Sequence, residues 1–168
     1  MFPLADIVRW RIVAPWADDD DVEQDLAITL ALFDLFRDEE LKAALAFRGG
    51  TALHKLHLPP AARYSEDIDL VQVVPGPIGG VPDAIRRTLD PWLGAPRYKQ
   101  TDGRVTFVYR FDSEGLPVVP LRLKIETNTR EHISVYGLKE IPYSVNSPWF
   151  DGSCSIRTYD LDELLGTK

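Results

Sequence analysis

Two aspartates two positions apart, Asp67 and Asp69, are the residues of this chain whose type and spacing first suggest chemistry. They open a segment, residues 67–71, whose composition predicts a strand. Alternate residues of a strand point to the same side, so the two carboxylates should lie side by side. Such a pair is destabilising without a cation. Mg²⁺ is commonly held by one or two carboxylates together with substrate phosphates, so the pair predicts a metal site that also involves phosphate.

The turn that precedes this pair, Gly49-Gly50-Thr51, suits a phosphate. An apolar lead-in over residues 44–47 predicts a short buried strand before it. Glycines allow the backbone to approach a phosphate closely, and the N-terminus of a following helix attracts anions. We expect Thr51 to cap that helix and the prolines at 59–60 to end it. One half of the stretch therefore suits phosphate, and the other suits the metal that accompanies it.

Residues 49–53 and 63–70 together resemble the AbiEii-type nucleotidyltransferases, the toxins of type IV toxin–antitoxin systems within the polymerase-β-like superfamily. The first range reads Gly-Gly-Thr-Ala-Leu and the second Arg-Tyr-Ser-Glu-Asp-Ile-Asp-Leu. A lone Asp-x-Asp occurs in many unrelated proteins. Its combination with a Gly-Gly-Thr turn and an Arg-x-Ser, in this order, is far more specific. The resemblance is strongest over residues 24–70 and extends more weakly to the end of the chain.

The resemblance implies an α+β fold, in which helices pack on a small mixed β-sheet of the nucleotidyltransferase type. We expect one domain over residues 1–168, with an N-terminal helical segment, 1–43, before a core, 44–168. It also implies transfer of a nucleotide from a nucleoside triphosphate to an acceptor, with Mg²⁺ or Mn²⁺ as cofactor. The toxin class implies a cognate antitoxin protein as partner. The residues do not identify the acceptor, for which RNA is a candidate.

The metal ligands that the resemblance implies are Asp67, Asp69 and a third carboxylate on a later strand. Glu126 is the candidate for that third position, where it would hold metal or activate the acceptor hydroxyl. Lys124, on the same side of the same strand, is expected near the phosphates. The alternative is an ordinary solvent-facing row of lysine and glutamate on an antiparallel sheet.

The nucleotide ligands that the resemblance implies begin with Gly49, Gly50 and Thr51, which would bind the triphosphate through backbone N–H groups and a hydroxyl. Ser65 would contact a phosphate or order its loop. Arg63 would neutralise phosphate or, equally well, brace the aspartate pair.

The end of the chain, residues 161–168, reads Leu-Asp-Glu-Leu-Leu-Gly-Thr-Lys. It resembles the start of a family pattern in which a lysine precedes a downstream Arg-Asp-x-x-Asp segment, so Lys168 is expected to be catalytic. The family's C-terminal helical region is then expected to be missing. Weak nucleotide binding, little or no nucleotide transfer by residues 1–168 even with Mg²⁺, and self-association through the exposed surface are expected in consequence. The alternative function is a catalytically inactive or truncated module that binds nucleotide or the antitoxin.

The composition limits the class of protein and the cellular compartment that this sequence suggests. Of the 168 residues, 45% are hydrophobic and 27% charged, as in soluble globular proteins. The net charge of −7 argues against a broadly basic surface but not against a local basic patch. The single cysteine excludes an internal disulfide and a cysteine-based zinc cluster, and a cytoplasmic location is the simplest interpretation. No segment is apolar and long enough to predict a membrane span.

Hydrophobic periodicity predicts the remaining elements. Helices are expected over residues 22–36 and 81–93, and strands over 104–111, 121–126 and 156–159. Residues 134–149 read as an irregular loop with at most one short strand. The four aspartates at 18–21 could bind a metal, but a negatively charged helix start is the favoured interpretation. For His54 and His57 a surface role is favoured.

Overall fold

The computed structural model describes residues 1–59, 64–147 and 150–166. Within them the strands are β1 (Leu45–Arg48), β2 (Asp67–Gln72), β3 (Arg97–Thr101), β4 (Arg104–Asp112), β5 (Pro120–Asn128), β6 (Lys139–Asn146) and β7 (Asp151–Thr158). The helices are α1 (Leu4–Trp10), α2 (Asp19–Arg37), α3 (Glu39–Ala44), α4 (Gly49–Ala52), α5 (Val81–Leu93) and α6 (Leu161–Gly166). Helix α4 continues directly into a π-helical turn, Leu53–His57.

All seven strands belong to one mixed sheet with the order β3-β4-β5-β2-β1-β7-β6. The predicted α+β fold with a mixed sheet is therefore confirmed. Strand β2 lies at the centre, antiparallel to β1 and parallel to β5. This arrangement places residues that are far apart in sequence next to the Asp-x-Asp segment.

One face of the sheet is covered by helices and forms the core. Helix α2 packs on β2, β5 and β7, and α5 packs on β4. Ile68 and Leu70 of β2 point to this face and are buried, as are Leu123 and Ile125 of β5. Fully burying each such side chain stabilises the fold by about 1.5–3 kcal/mol. Because strand residues alternate, the aspartates of β2 must point away from this core.

The opposite face of β3, β4 and β5 is open and carries a row of cations. The strand register puts six of them on this face, which we call the basic face: Arg97, Lys99, Arg104, Arg110, Arg122 and Lys124. Only two carboxylates of these three strands, Asp112 and Glu126, share the face among the described residues. The local patch that the acidic composition left open is therefore present.

Several predicted elements are confirmed and others need correction. Helix α2 begins directly after Asp18, with three aspartates in its first turn, so the helix-start interpretation of residues 18–21 is confirmed. Helix α5 spans the predicted residues and contains Pro91 in its last turn. The edge strand β3 was not predicted.

Strand β6 replaces most of the loop that was predicted over residues 134–149. It pairs with β7 from Lys139 opposite Thr158 to Asn146 opposite Asp151. Its proline, Pro142, argued against a strand, but β6 lies at the edge of the sheet. There a missing backbone N–H can face solvent. No helix in the described ranges is long and apolar enough to cross a membrane.

Candidate active site

The glycine turn starts the helix itself. Helix α4 begins at Gly49, directly after β1, and has no side-chain cap, so the expectation that Thr51 caps it is wrong. Gly49 has a φ of 81°, in the left-handed region. A Cβ on this residue would lie 2.5 Å from Oδ2 of Asp69. Glycine is therefore required here by both the backbone conformation and the closeness of the aspartate.

Thr51 joins this turn to the start of β2. Its buried hydroxyl donates a hydrogen bond to the carbonyl oxygen of Asp67 at 2.8 Å and also contacts the hydroxyl of Ser65. Of the two roles expected for Ser65, this contact fits the ordering of its loop. The two hydroxyls thus hold the first aspartate of the pair against the glycine turn.

Asp67, Asp69 and Glu126 share one face of the sheet. Asp67 is opposite Lys124 and Asp69 is opposite Glu126 in the parallel β2–β5 pairing. The ammonium of Lys124 lies 3.6 Å from Oδ2 of Asp67 and 3.0 Å from Oε2 of Glu126. The guanidinium of Arg104 lies 3.3 Å from the other oxygen of Glu126. The three carboxylates expected as ligands therefore lie on one face around Lys124, and two cations balance part of their charge.

The electrostatics reflect this crowding. Burial raises the pKa of Asp69, and the charges of Asp67 and Glu126 raise it further. For Lys124, burial opposes the charged form, but the hydrogen bond to Glu126 and the neighbouring carboxylates outweigh it, so its pKa is raised. The cluster is therefore negatively charged, and it strongly stabilises a positive charge that lies among its carboxylates.

Whether these residues suit a metal can be judged from their unused oxygens. Within the described ranges, no group of three or more His, Cys, Asp or Glu side chains stands ready to hold a metal ion. Here the ammonium of Lys124 lies among the carboxylates. However, Oδ1 of Asp67 is buried and accepts no hydrogen bond from the described residues. A buried carboxylate oxygen without a partner is costly, so Oδ1 of Asp67 is the oxygen of this cluster that best suits a cation, while the ammonium of Lys124 occupies the place between Asp67 and Glu126.

Two cavities flank the aspartate pair. The larger, about 620 Å³, is polar; we call it the polar cleft, and it is lined by Gly50, Thr51, Ser65, Asp67 and Arg122, among others. The second, about 360 Å³, is the carboxylate cavity, lined by Arg48, Gly49, Asp69, Arg104 and Glu126, among others. Both are large enough for parts of a nucleotide. Asp69 and Gly50 lie at the boundary of the two.

Sequence reasoning missed three cations at this site. Arg48 directly precedes the glycine turn and is opposite Asp69 across the β1–β2 pair. Arg104 lies beside Glu126, and Arg122 forms an ion pair with Glu66 at 2.9 Å. Arg104 and Arg122 lie at outward positions of strands whose apolar and polar residues alternate. The sequence shows this alternation, but their closeness to the site follows only once the strand register is known.

Other expected residues are placed differently or not at all. Arg63 and Lys168 lie outside the described residues. His54 and His57, for which a surface role is favoured, are half-buried. His54 lines the polar cleft.

A buried ion pair connects the π-helical turn, which follows the glycine turn, to helix α2. The ammonium of Lys55, in the π-helical turn, donates to Asp25 of α2 at 2.7 Å and to the hydroxyl of Thr29 at 2.9 Å. The other oxygen of Asp25 accepts a hydrogen bond from the indole of Trp10 at 2.8 Å. These contacts tie the segment after the glycine turn to the helical layer and fix its position.

Solved structures share this fold. JHP933 from Helicobacter pylori superposes with a TM-score of 0.58 over 89% of this chain, at 14% identity. MenT4, a nucleotidyltransferase toxin from Mycobacterium tuberculosis, superposes with a TM-score of 0.58 over 95% of this chain, at 17% identity. The alignments cover 56% and 55% of those two chains, so this chain spans little more than half of their length. No curated protein sequence matches the chain significantly.

The sequence identifies the family more directly than these distant structures do. The family described as nucleotidyl transferase AbiEii toxin, type IV toxin–antitoxin system, matches residues 30–168. That range contains the glycine turn, all three carboxylates and the basic face. The chain belongs to the AbiEii nucleotidyltransferase toxin family.

Proposed function

We propose that this chain forms the catalytic centre of a metal-dependent nucleotidyltransferase, the toxin of a type IV pair, acting in the cytoplasm. It would transfer a nucleotide from a nucleoside triphosphate to a hydroxyl of an RNA acceptor. The observation that supports this most is the convergence of Asp67, Asp69 and Glu126 beside the Gly49-Gly50 turn. Carboxylates clustered next to an accessible backbone turn suit a triphosphate and its metal.

In the proposed reaction, the acceptor oxygen attacks the α-phosphorus, a new P–O bond forms, and pyrophosphate leaves. A divalent cation, Mg²⁺ or Mn²⁺, held by Asp67, Asp69 and Glu126 would neutralise the charge that develops on the phosphoryl oxygens. Glu126 is also placed to accept the proton of the attacking hydroxyl. The backbone N–H groups of Gly49 and Gly50 would bind phosphate oxygens.

Cations of the chain would assist the same centre. Arg48 and Arg104 line the carboxylate cavity together with Asp69, where an α-phosphate would have to lie. Lys124 bridges Asp67 and Glu126 and keeps the carboxylates together despite their repulsion. These side chains would offset the charge of an incoming triphosphate, because the cluster itself is negative.

The basic face supports RNA as the acceptor. Three of its cations, Arg97, Lys99 and Arg110, form no ion pair with any residue that the structure describes. Arg110 lies directly opposite Arg122 on the exposed face. Like charges directly opposite each other destabilise a sheet, so this arrangement favours an anionic partner. The row runs along β3, β4 and β5 and ends at Glu126, where an acceptor hydroxyl must arrive.

The metal and nucleotide part is tested by thermal stability with Mg²⁺ and each ribonucleoside triphosphate. A ligand at one hundred times its Kd stabilises the folded state by about 2.7 kcal/mol, or about 5–11 °C in Tm for a domain of this size. Asp67→Asn with Asp69→Asn should abolish the shift while leaving the protein folded. Asp83→Asn with Asp151→Asn, which makes the same charge change elsewhere, should keep it. An undiminished shift in the first double variant would remove the pair from the site.

The transfer step is tested with labelled nucleotide, Mg²⁺ and total RNA. Label in RNA that disappears in the Asp67→Asn, Asp69→Asn variant supports the transferase. Nucleotide binding without any transfer would instead support the alternative, a non-catalytic module that binds nucleotide or the antitoxin. The antitoxin is proposed as partner from the family alone.

The acceptor surface is tested by the salt dependence of RNA binding. Each phosphate contact contributes about 0.7–0.9 to the slope of log K against log salt concentration. Arg97→Glu with Lys99→Glu should therefore weaken binding and lower the slope by about 1.4–1.8. Arg9→Glu with Lys139→Glu changes the net charge equally and should leave the slope nearly unchanged. Equal effects of the two double variants would show that only net charge matters and would exclude the basic face.

A further inference from the structure

A largely apolar cavity of about 300 Å³ lies beside the active site. Its apolar wall is formed by Tyr159, Leu164 and Ile133, and its polar edge includes Arg48 and Glu131. Tyr159 and Leu164 are buried, whereas Ile133 is 83% exposed at the rim. We call it the side cavity. Nothing in the proposed metal and phosphate chemistry uses it.

The side cavity adjoins the catalytic centre. Arg48 and Glu131 form an ion pair and line both the side cavity and the carboxylate cavity. Arg48 is also opposite Asp69 in the β1–β2 pairing. A ligand that reaches from one cavity to the other therefore passes a single pair of side chains next to the aspartates.

Hydrogen bonds to helix α6 and to strand β2 hold the segment that forms the outer wall of the side cavity. Glu163 of α6 accepts hydrogen bonds from the hydroxyl of Ser134 and the backbone N–H of Val135, each at 2.9 Å. His132 lies with Nδ1 2.7 Å from the carbonyl oxygen of Gln72 at the end of β2. The segment that carries Ile133 is thus held between the helix and the sheet, and the cavity is formed before any ligand binds.

We propose that the side cavity receives the base of the donor nucleotide. This inference rests on the proposed function and adds to it the subsite that recognises the donor. A nucleoside triphosphate is charged at one end and carries a flat, weakly polar base at the other. The adjoining cavities present their groups in the same order. Cations and carboxylates come first, and an apolar wall with a few polar groups follows, as is common in ligand sites.

The residues of the cavity suit a base in particular. The phenol of Tyr159 is neutral near pH 7, and burial raises its pKa further, so it presents an uncharged aromatic surface. The flat guanidinium of Arg48 can stack on a planar ring. The carboxylate of Glu131 at the edge can accept a hydrogen bond from an amino group of the base.

The order of strands separates donor from acceptor. The carboxylates lie on β2 and β5, at the middle of the sheet. The basic face extends from them across β5, β4 and β3, whereas Arg48 ends β1 and Tyr159 directly follows β7 on the other side. A base that lies against Arg48 and Tyr159 would therefore reach the carboxylates from the β1 and β7 side and RNA from the basic face, while Arg130 and Glu131, which follow β5, close the cavity on the other side.

The test compares ligands with and without a base. Binding of Mg²⁺ complexes of the four ribonucleoside triphosphates and of inorganic tripolyphosphate is measured by calorimetry. Tyr159→Leu removes the aromatic surface and should weaken the best triphosphate about fivefold or more, with tripolyphosphate unchanged. Tyr159 belongs to the core, so Ile133→Ser at the exposed rim is the second variant and should weaken it about three- to tenfold. Ile12→Ser, at a position 91% exposed elsewhere, is its control and should have no effect.

The outcomes separate this inference from the proposed function. Selective loss of nucleotide binding in Ile133→Ser, with tripolyphosphate unaffected, supports the base subsite. Equal loss of both ligands, or no loss of either in a protein that binds nucleotide, overturns it while leaving the proposed function intact. If the unmodified chain binds neither ligand, the proposed function fails and the base subsite fails with it.

Discussion

Gly49→Ala should inactivate the site by displacing one carboxylate oxygen. A Cβ at this position would lie 2.5 Å from Oδ2 of Asp69, whereas ordinary contact begins at 3.4 Å. The oxygen must therefore retreat by about 0.9 Å, the difference between these two distances. A misplacement of about 1 Å at a catalytic group costs on the order of 100-fold in rate. We expect nucleotide transfer by the variant to fall by about that factor.

The same substitution also strains the backbone, and this effect has to be separated from the first. Alanine in the left-handed region costs about 1–2 kcal/mol, which corresponds to about 2–8 °C in Tm for a domain of this size. Gly94 provides the control because it has a φ of 77° and nothing within 4 Å of the point where a Cβ would lie. Because the ψ of Gly94 is −174°, a conformation that essentially only glycine adopts, Gly94→Ala should lose at least as much Tm and still keep its response to Mg²⁺ and nucleotide.

The assay is the Tm of each variant with and without Mg²⁺ and nucleoside triphosphate, followed by transfer of label to RNA. Gly49→Ala should lose most of the ligand-induced shift that Gly94→Ala retains. If both variants respond equally to the ligand, the close approach of Gly49 to Asp69 has no functional importance. The reasoning from this contact to the site would then be refuted.

Three further predictions concern other parts of the molecule. Lys55→Met should lower the free energy of unfolding by about 3–5 kcal/mol because it leaves the buried carboxylate of Asp25 without its ammonium partner. Chemical denaturation measures this loss, and adding Asp25→Asn should recover part of it. Burial raises the pKa of Glu23 from its ordinary value of 4.5 to about 7, so the folded state binds its proton more tightly and stability should fall as the pH rises through this range. Glu23→Gln should therefore flatten the Tm profile between about pH 5 and about pH 8, and an unchanged profile would contradict this. Arg110→Glu should stabilise the sheet by about 0.2–1 kcal/mol, because it turns a like-charge pair with Arg122 into an opposite-charge pair, and it should weaken RNA binding at the same time.

The part of the site that the sequence could predict is local. Asp67 and Asp69 share a face in any strand, whatever the rest of the fold does, and the glycine turn lies close to them along the chain. Glu126 could be proposed because its strand alternates clearly and the family resemblance requires a third carboxylate. Its position opposite Asp69 depends on the parallel β2–β5 pairing, which alternation alone does not determine.

The part that the sequence could not predict depends on register and on edges. Strand β3 carries no apolar alternation because it is an exposed edge strand, and β6 contains a proline that only an edge position tolerates. Thr51 has the residue type of a helix cap, but its hydroxyl is used to join the turn to β2. Arg48 becomes a site residue only because β1 ends opposite Asp69.

The parallel pairing of β2 with β5 has a consequence for when the carboxylate cluster is assembled. Asp69 and Glu126 are joined across a long stretch of chain, which includes α5 and two strands. Chains emerge from the ribosome at about 5–20 residues per second, and contacts between distant segments form late in folding. A nascent chain that ends before β5 holds the aspartates and the glycine turn but lacks the third carboxylate. The complete carboxylate cluster therefore arises only after β5 has been synthesised and the central sheet has closed.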